Sequence, residues 1–408
     1  MSLETYTTEQ LLSEIQARTT PPPAPEPDPN TEVYRAALEE VQATAAAALQ
    51  GPDPAPAPTP PPAPTPAPAP TRGKEFWLFL PQGKKDLNEV WLPATQVMPD
   101  RLITFWKVGA SSDWGYDLDP PRPQNPNTHP FPSEIVRRSG YFSGQAPTYG
   151  MRFEPQDLLE DLAAGKHAAY TAKFFEQAAD VLPTDGPLLD LCPGHEPNGT
   201  WGTPLTTQAE RDALRAMSPD DRLLPYAVRR SPDDPWQPDP RDVQYFADWI
   251  GSLSGHIART GAPVSLTFNP NISMNPDGTP SQIDYEPLYV ATRGAWSAVG
   301  LDGYNGPWLA PTHLPLIEVF RRDLEKMHGP VYDGLPVGIY ETATRPGYPG
   351  GWWTEGVRDL NREFPKVDVL TQFELEKPGD GDWRVLDSPA EIVDLRVAMA
   401  EWRATLPA

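Results

Sequence analysis

The sequence is poor in cysteine, in basic residues and in long apolar runs. Its only cysteine is Cys192, so no disulfide can form within the chain of 408 residues and no thiolate cluster can bind a metal. Lys and Arg number 33 against 56 Asp and Glu, and the net charge of −23 argues against nucleic acid and anionic membranes as partners. No run of about 18 apolar residues occurs, so we expect no transmembrane helix.

Motifs for nucleotide, serine and metal chemistry are missing as well. The Gly-rich phosphate loops GxGxxG and GxxxxGK do not occur, so nucleotide use is not expected. There is no GxSxG elbow for a serine hydrolase. The six histidines show neither HExxH nor another paired ligand spacing. We therefore expect neither a cofactor nor a metal.

Proline is abundant, with 55 residues, and it crowds the beginning of the chain. Residues 51–72 read GPDPAPAPTPPPAPTPAPAPTR, which predicts an extended, semi-rigid linker. Residues 1–50 hold two short helical patterns, and such short helices need a partner surface to be stable. The N-terminus lacks the basic and apolar regions of a secretory signal, so we expect none. The sequence thus predicts an anchoring segment at 1–50, a linker at 51–72 and one large domain at 73–408.

From Gly73 onward, short apolar runs typical of buried parallel strands alternate with helical patterns. Strands are expected near Glu75–Leu80, Leu102–Val108, Thr148–Phe153, Leu188–Cys192, Val264–Phe268, Ala298–Leu301, Val337–Tyr340 and Val369–Phe373. Helices are expected at His167–Leu182, Pro240–Thr260, Asp284–Gly294, Pro315–His328, Glu355–Phe364 and Pro389–Leu406. Eight strands with helices between them predict an α/β fold, a (β/α)8 TIM barrel. A doubly wound open sheet is the structural alternative.

Two glutamates follow apolar runs where a barrel places its active site, just past the C-terminal ends of the strands. Glu196 follows the fourth predicted strand in LLDLCPGHEPNGTWG, and Glu341 follows the seventh in LPVGIYETATRPG. Two carboxylates facing one cavity suit the cleavage of a glycosidic bond, with retention when they are roughly 5–5.5 Å apart and inversion when they are further apart. Any barrel has several acidic strand ends, so this spacing alone is a weak signal.

Longer motifs add to this signal. HEPNGTWG is followed in order by SLTFNPN, AVGLDGYNG, LPVGIYET and VLTQFELEKPGDGDWRV. This series resembles the β-mannanases of glycoside hydrolase family 26, which are retaining barrel hydrolases, and it covers most of Gln145 to Trp402. The resemblance implies that Glu196 is the general acid/base and Glu341 the nucleophile. Pro197 stands where the family usually has Met, so mannan as the substrate does not follow.

Further residues are expected to bind substrate. His195, next to the acid/base, can contact a sugar hydroxyl or tune the carboxyl group, and a packed histidine is the alternative. The resemblance implies that Tyr304 hydrogen-bonds Glu341 and holds it as an anion. Tryptophans on predicted loops, including Trp353, are expected to stack on sugar rings, whereas Trp249 and Trp402 belong to the core. The predicted substrate-binding set is His195, Asn198, Trp201, Tyr304, Trp308, Trp352 and Phe373.

Together these features predict a retaining endo-glycoside hydrolase that acts on a cell-wall or capsular polysaccharide. The anchoring segment and the stiff linker suggest a bacteriophage tail-associated depolymerase, placed on the virion tail by other tail proteins. A secreted enzyme and an intracellular glycosidase are the alternatives for its location. A barrel that only binds host glycan, as a receptor-binding tail protein, is the alternative for its function.

Overall fold

A computed structural model describes most of the predicted large domain. The described residues are 74–80, 86–108, 148–155, 159–184, 188–198, 227–228, 237–306, 314–332, 334–344, 348, 350–377 and 381–405. All of them belong to one compact unit, Pro68–Ala408. The predicted anchoring segment at 1–50 and the linker at 51–72 lie outside these ranges.

Eight parallel strands close into a barrel. In chain order they are β1 (Glu75–Phe79), β2 (Arg101–Val108), β3 (Thr148–Pro155), β4 (Leu189–Pro193), β5 (Val264–Phe268), β6 (Ala298–Asp302), β7 (Val337–Glu341) and β8 (Val367–Phe373). Each strand pairs with the next one, and β8 pairs with β1 to close the sheet. The predicted TIM barrel is confirmed, and the open-sheet alternative is wrong.

Helices lie between the strands along the chain. They are α1 (Leu92–Thr95), α2 (Leu159–Ala163), α3 (Ala168–Val181), α4 (Pro240–Thr260), α5 (Glu286–Thr292), α6 (Leu316–Met327), α7 (Trp352–Glu363) and α8 (Pro389–Ala404). The signals at the ends of α4 are clear in the sequence: Asp239 accepts a hydrogen bond from the backbone N–H of Arg241, and Gly261 ends the helix with a left-handed backbone. Within the described ranges, no helix has the length and apolarity needed to cross a membrane.

The start of α7 differs from the prediction. The helix was expected from Glu355, but it begins at Trp352, directly after Gly351, whose φ of 97° suits glycine. Trp352 and Trp353 therefore lie in the first helical turn and not on a loop. Both are packed in the main hydrophobic core, with 2% and 0% of their surface exposed. Both rings are packed against protein, and their contact with sugar stays a prediction.

The side chains of β1 alternate between two separate cores. Phe76 and Leu78 pack with the helices in the main core, whereas Trp77 and Phe79 belong to a second, aromatic cluster that fills the barrel. Tyr340 of β7 belongs to the same cluster, and its ring centroid lies 5.0 Å from that of Trp77. The interior of the barrel is thus a packed core, and the candidate active site with Glu196 and Glu341 lies at its C-terminal end.

Candidate active site

Glu196 is held in a tight turn just after β4. Its φ of 48° and that of 64° at Gly194 place both residues in the left-handed region, which is uncommon for a glutamate and typical of functional turns. The backbone N–H of Glu196 donates to the carbonyl of Asn269, 3.1 Å away, and so ties the turn to the end of β5. The carboxylate is buried, and its Oε1 accepts a 3.0 Å hydrogen bond from the amide of Asn271.

Asn198 fixes the same turn from the other side. Its Nδ2 donates to the carbonyls of Asn271 and Ile283 at 2.9 and 3.0 Å, and its Oδ1 accepts from the backbone N–H of Asn271 at 2.8 Å. Both amide hydrogens are thereby used, and the side chain is completely buried. The amide of Asn198 thus holds Asn271, which in turn donates to Glu196, and a contact of Asn198 with substrate stays a prediction.

Glu341 is the last residue of β7 and is also buried. Its Oε2 accepts a 2.5 Å hydrogen bond from the hydroxyl of Tyr304, as the family resemblance implied. Its Oε1 lies 3.0 Å from Nε2 of His195. The hydrogen bond to Oε2 stabilises the charged form of this carboxylate, and an imidazolium at His195 acts on Oε1 in the same direction by charge. This arrangement suits a carboxylate that has to remain an anion.

Asp302 is a site residue that the sequence analysis did not single out. It ends β6 and is the register partner of Glu341 at the end of β7. Its Oδ2 lies 3.0 Å from Nε2 of His195 and accepts a 2.7 Å hydrogen bond from the amide of Asn269. A signal was present, because a carboxylate in LDGYN ends an apolar run just as Glu341 does.

The turn after β4 and the ends of β6 and β7 converge at one point. One donor atom from each of His195, Glu196, Asp302 and Glu341 lies within 4.8 Å of the others. Carboxylate oxygens of Glu196 and Glu341 are therefore no more than 4.8 Å apart. This bound applies to one oxygen of each carboxylate, and it is compatible with the roughly 5–5.5 Å between carboxyl groups at which one of them attacks a sugar directly.

Burial and the negative charge of this cluster shift the pKa values of Asp302 and Tyr304. Burial raises the pKa of Asp302 well above its usual range, and the negative charges of Glu341 and Glu196 act in the same direction. Burial and the charge of Glu341 also raise the pKa of Tyr304. Tyr304 therefore stays protonated and remains a hydrogen-bond donor.

A divalent cation can in principle bind one imidazole and three carboxylates. Here each of the four groups already has a hydrogen-bonding contact. Asn271 donates to Glu196, Asn269 to Asp302 and Tyr304 to Glu341, and His195 lies between two carboxylates.

Aromatic rings support the site. Phe105 of β2 lies edge-on to His195, with ring centroids 5.2 Å apart. Trp383 packs against Tyr304, with centroids 5.1 Å apart. Phe373 is at the site as predicted, but Phe79 covers one face of its ring at 4.4 Å and only 2% of its surface is exposed. Its ring also lies edge-on to Tyr304, with centroids 5.7 Å apart, and contact of Phe373 with sugar stays a prediction. Trp201 and Trp308 lie outside the described residues.

Comparison with known proteins gives similarity in fold only. No protein-family model matches the chain, and no curated protein sequence matches it. Among solved structures, the family 26 β-mannanase of Bacteroides ovatus is 11% identical, with a TM-score of 0.48 over 82% of this chain and 90% of that one.

A family 26 endo-β-1,4-mannanase catalytic domain from Bacillus sp. JAMB-750 is 12% identical, with a TM-score of 0.49 over 81% of this chain and 90% of that one. A modular endo-β-1,4-mannanase from Cellulomonas fimi is 13% identical, with a TM-score of 0.44 over 80% and 70%. Identities and TM-scores this low say nothing about what this chain does, which has to be argued from its own site.

Proposed function

We propose that this barrel is a retaining glycoside hydrolase that cleaves a polysaccharide by double displacement. The observation that carries the proposal is the separation of at most 4.8 Å between carboxylate oxygens of Glu196 and Glu341 at the C-terminal end of the barrel. Two buried carboxylates this close to each other destabilise the fold. Active sites are where such arrangements are typically retained. Cleavage of a glycosidic bond uses one of them as an acid and the other as a nucleophile.

Glu341 is assigned as the nucleophile because its two oxygens face the hydroxyl of Tyr304 and the imidazole of His195. These contacts favour the anion that has to attack the anomeric carbon. Glu196 is assigned as the acid/base because Glu341, the other carboxylate of the pair, is the one held as an anion. The amide of Asn271, a neutral group, donates to Oε1 of Glu196. This partner is compatible with both the protonated and the charged form.

The reaction then has two steps. Protonated Glu196 gives its proton to the glycosidic oxygen while Glu341 attacks the anomeric carbon, so that the leaving sugar departs and a glycosyl ester forms on Glu341. A water molecule enters next. The carboxylate of Glu196 removes a proton from this water, and the water oxygen attacks the anomeric carbon. The ester bond breaks, Glu341 is restored as an anion and Glu196 is again protonated.

The test is the release of reducing sugar from a panel of bacterial wall polysaccharides, capsules and mannans. The panel compares the wild type with Glu341→Ala, Glu196→Ala and the control Glu325→Ala, which removes an exposed carboxylate of α6. Release should persist in the control and fall by about 10³-fold or more in the other two variants. NMR of the first-formed product should show retention of the anomeric configuration. Equal release by Glu341→Ala would remove Glu341 from its role, and binding of a glycan without any hydrolysis would favour a receptor-binding barrel.

We infer that the chain acts on the surface of a bacterial host as part of a phage tail. Support comes from the sequence alone, in which short helical patterns at 1–50 and a proline-rich linker at 51–72 precede a domain suited to polysaccharide. Mass spectrometry of purified virions is the direct test. The chain should be found in particles, and its absence from them would rule this placement out.

A further inference from the structure

Arg152 is a charged residue enclosed inside the barrel. It lies on β3, and its side chain is completely buried. None of its three guanidinium nitrogens has a hydrogen-bond partner among the described residues. Its closest charged neighbour is Asp190 of β4, with Nη1 and Oδ1 3.7 Å apart. This distance allows an ion pair but is too long for a hydrogen bond.

Aromatic rings take the place of hydrogen-bond partners. The guanidinium carbon of Arg152 lies 5.2 Å from the ring centroid of Tyr340 and 5.9 Å from that of Trp77. Both distances are within the range of a cation–π interaction. Burial lowers the pKa of Arg152, but Cys192, Asp302, Asp190 and Glu341 together raise it by more, so it remains a cation.

Glycines make room for these two rings. A Cβ at Gly150 would lie 2.6 Å from the ring of Trp77, and a Cβ at Gly300 would lie 2.1 Å from the ring of Tyr340. Gly338 leaves a similar space for Tyr340. Three strands therefore give up side chains at the level where the guanidinium is held. Glycines at three positions thus accommodate the two aromatic rings that surround the guanidinium.

Stability does not explain a cation in this place. A buried charge without hydrogen bonds is destabilising, and replacing buried ion pairs by apolar side chains of similar size is often neutral or stabilising. The position of the charge is more informative. Asp190 on β4 and Tyr340 on β7 lie next to the guanidinium, and the charges of Cys192 on β4, Asp302 at the end of β6 and Glu341 at the end of β7 also act on it.

We propose that Arg152 is a positioning residue whose enclosed positive charge sets the ionisation of Glu341 and Asp302, which end the strands above it. Arg152 touches no substrate in this assignment and acts only through the carboxylates. The hydroxyl of Thr267 donates to Oδ2 of Asp190 at 2.7 Å and so fixes the anion that partly offsets the cation. Asp190 and Arg152 should therefore shift the site in opposite directions.

The kinetic test rests on the proposed hydrolase function and uses the pH dependence of kcat/KM. Arg152→Met removes the charge at similar volume, and its profile should move to higher pH by about 0.5 unit or more, because carboxylates without a nearby cation ionise less readily. Asp190→Asn removes an anion, and its profile should move to lower pH. Arg152→Lys keeps the charge and should restore a profile close to that of the wild type.

Thermal unfolding and circular dichroism separate this role from a structural one. If Arg152→Met folds but keeps the wild-type profile, or if both variants move the profile in the same direction, the proposal is overturned. Should Arg152→Met fail to fold, Arg152→Gln, which removes the charge but keeps a polar side chain, takes its place: the proposal requires its profile to move to higher pH, and an unchanged profile overturns it.

A readout without catalysis covers the case in which the wild type hydrolyses no glycan. The ring signals of His195, which contacts both Asp302 and Glu341, can be followed by NMR during a pH titration and assigned with a His195→Gln variant. The titration midpoint should move up in Arg152→Met and down in Asp190→Asn. Unchanged midpoints in both variants would overturn the proposal whatever reaction the barrel catalyses.

Discussion

The hydroxyl of Tyr304 donates a 2.5 Å hydrogen bond to Oε2 of Glu341. The two residues follow and end adjacent strands, β6 and β7, and the backbone N–H of Gly303 also donates to the carbonyl of Glu341, 3.0 Å away. Burial keeps the phenol protonated by raising its pKa. A short hydrogen bond from a neutral donor to a buried carboxylate stabilises the anion strongly, because little water competes for it.

Loss of this hydrogen bond should impair catalysis. Tyr304→Phe removes only the hydroxyl, and we expect kcat/KM to fall about ten- to a hundredfold, the range of a hydrogen bond to a charged group. The acidic limb of the pH profile should move to higher pH, since Glu341 loses a donor that favours its charged form. Steady-state kinetics across the pH range measure both effects.

Tyr332→Phe is the matched control. Tyr332 is also buried, and its hydroxyl has no hydrogen-bond partner in the described part of the chain. Its removal should leave kcat/KM within about twofold, as is usual for a change that breaks no interaction at the site. If both variants lose activity equally, the Tyr304 hydroxyl has no special role.

The buried carboxyl group of Asp302 should lower the stability of the folded chain at neutral and higher pH. Its pKa is raised in the folded state, so its stabilising contribution is present below the pKa of the unfolded chain and is lost as the pH rises through the folded pKa. Asp302→Asn should therefore raise Tm at pH 8 by about 2 °C or more, and by less at pH 4. Activity should fall about tenfold, because an amide is a weaker hydrogen-bonding partner for His195 than the carboxyl group of Asp302.

Differential scanning calorimetry at the two pH values measures this effect. Asp248→Asn, which removes an exposed carboxylate from α4, serves as the control and should change Tm little at either pH. A lower Tm for Asp302→Asn at both pH values would mean that its hydrogen bond from Asn269 outweighs the repulsion.

Much of the barrel was readable because buried parallel strands are continuous apolar runs. The run at Val264–Phe268 and the helix at Pro240–Thr260 have the predicted bounds, the helix because Asp239 and Gly261 mark its ends. The pair Glu196 and Glu341 was readable for a related reason, since each carboxylate follows an apolar run. Local pattern was sufficient wherever one strand or one helix determined the outcome.

The rest of the site depends on register between strands, which no local pattern contains. Asp302 matters because it is aligned with Glu341, and Asn198 has a structural role because its amide meets the backbone of Asn271. Arg152 was not noticed, because its significance lies in the rings of other strands. Trp352 was predicted on a loop because Gly351, which precedes the helix, has no capping side chain by which the sequence would indicate the helix start.

The space next to Gly300, which the ring of Tyr340 occupies, should be important for the stability of the barrel. A Cβ there would lie 2.1 Å from Cδ2 of Tyr340 and 2.7 Å from the backbone oxygen of Gly338, which cannot move away. We expect Gly300→Ala to lower the free energy of unfolding by about 1–3 kcal/mol or more, the usual effect of overpacking. Urea unfolding of the folded variant, or loss of soluble protein, measures this.

Gly251→Ala in α4 is the contrasting variant. Beyond its own chain neighbours and the backbone of its helix, no atom lies within 4 Å of the added Cβ, and the backbone at Gly251 is helical. Alanine should stabilise the helix there by about 0.5–1 kcal/mol. A gain at Gly300 as well would show that the barrel interior is less tightly packed than these distances indicate.

Glu374 holds the segment behind the site. It follows β8, and its Oε2 and Oε1 accept 3.0 Å hydrogen bonds from the backbone N–H groups of Val385 and Leu386. Gln372 donates to the same Oε2, 3.0 Å away. The segment held in this way carries Trp383, which packs on Tyr304. Burial raises the pKa of Glu374 to about 7, although these hydrogen bonds oppose the shift.

This raised pKa predicts a pH-dependent contribution to stability. Between its ordinary value of 4.5 and about 7 the folded chain binds a proton at Glu374 that the unfolded chain has lost, so the stability supplied by this group falls as the pH rises. Glu374→Gln cannot titrate. The difference in unfolding free energy, wild type minus Glu374→Gln, should therefore be larger at pH 5 than at pH 8. Chemical denaturation at both pH values measures it, with the exposed Glu325→Gln as a control that shows no such change. An equal difference at both pH values would mean that Glu374 is already ionised at pH 5, held as an anion by the N–H groups of Val385 and Leu386.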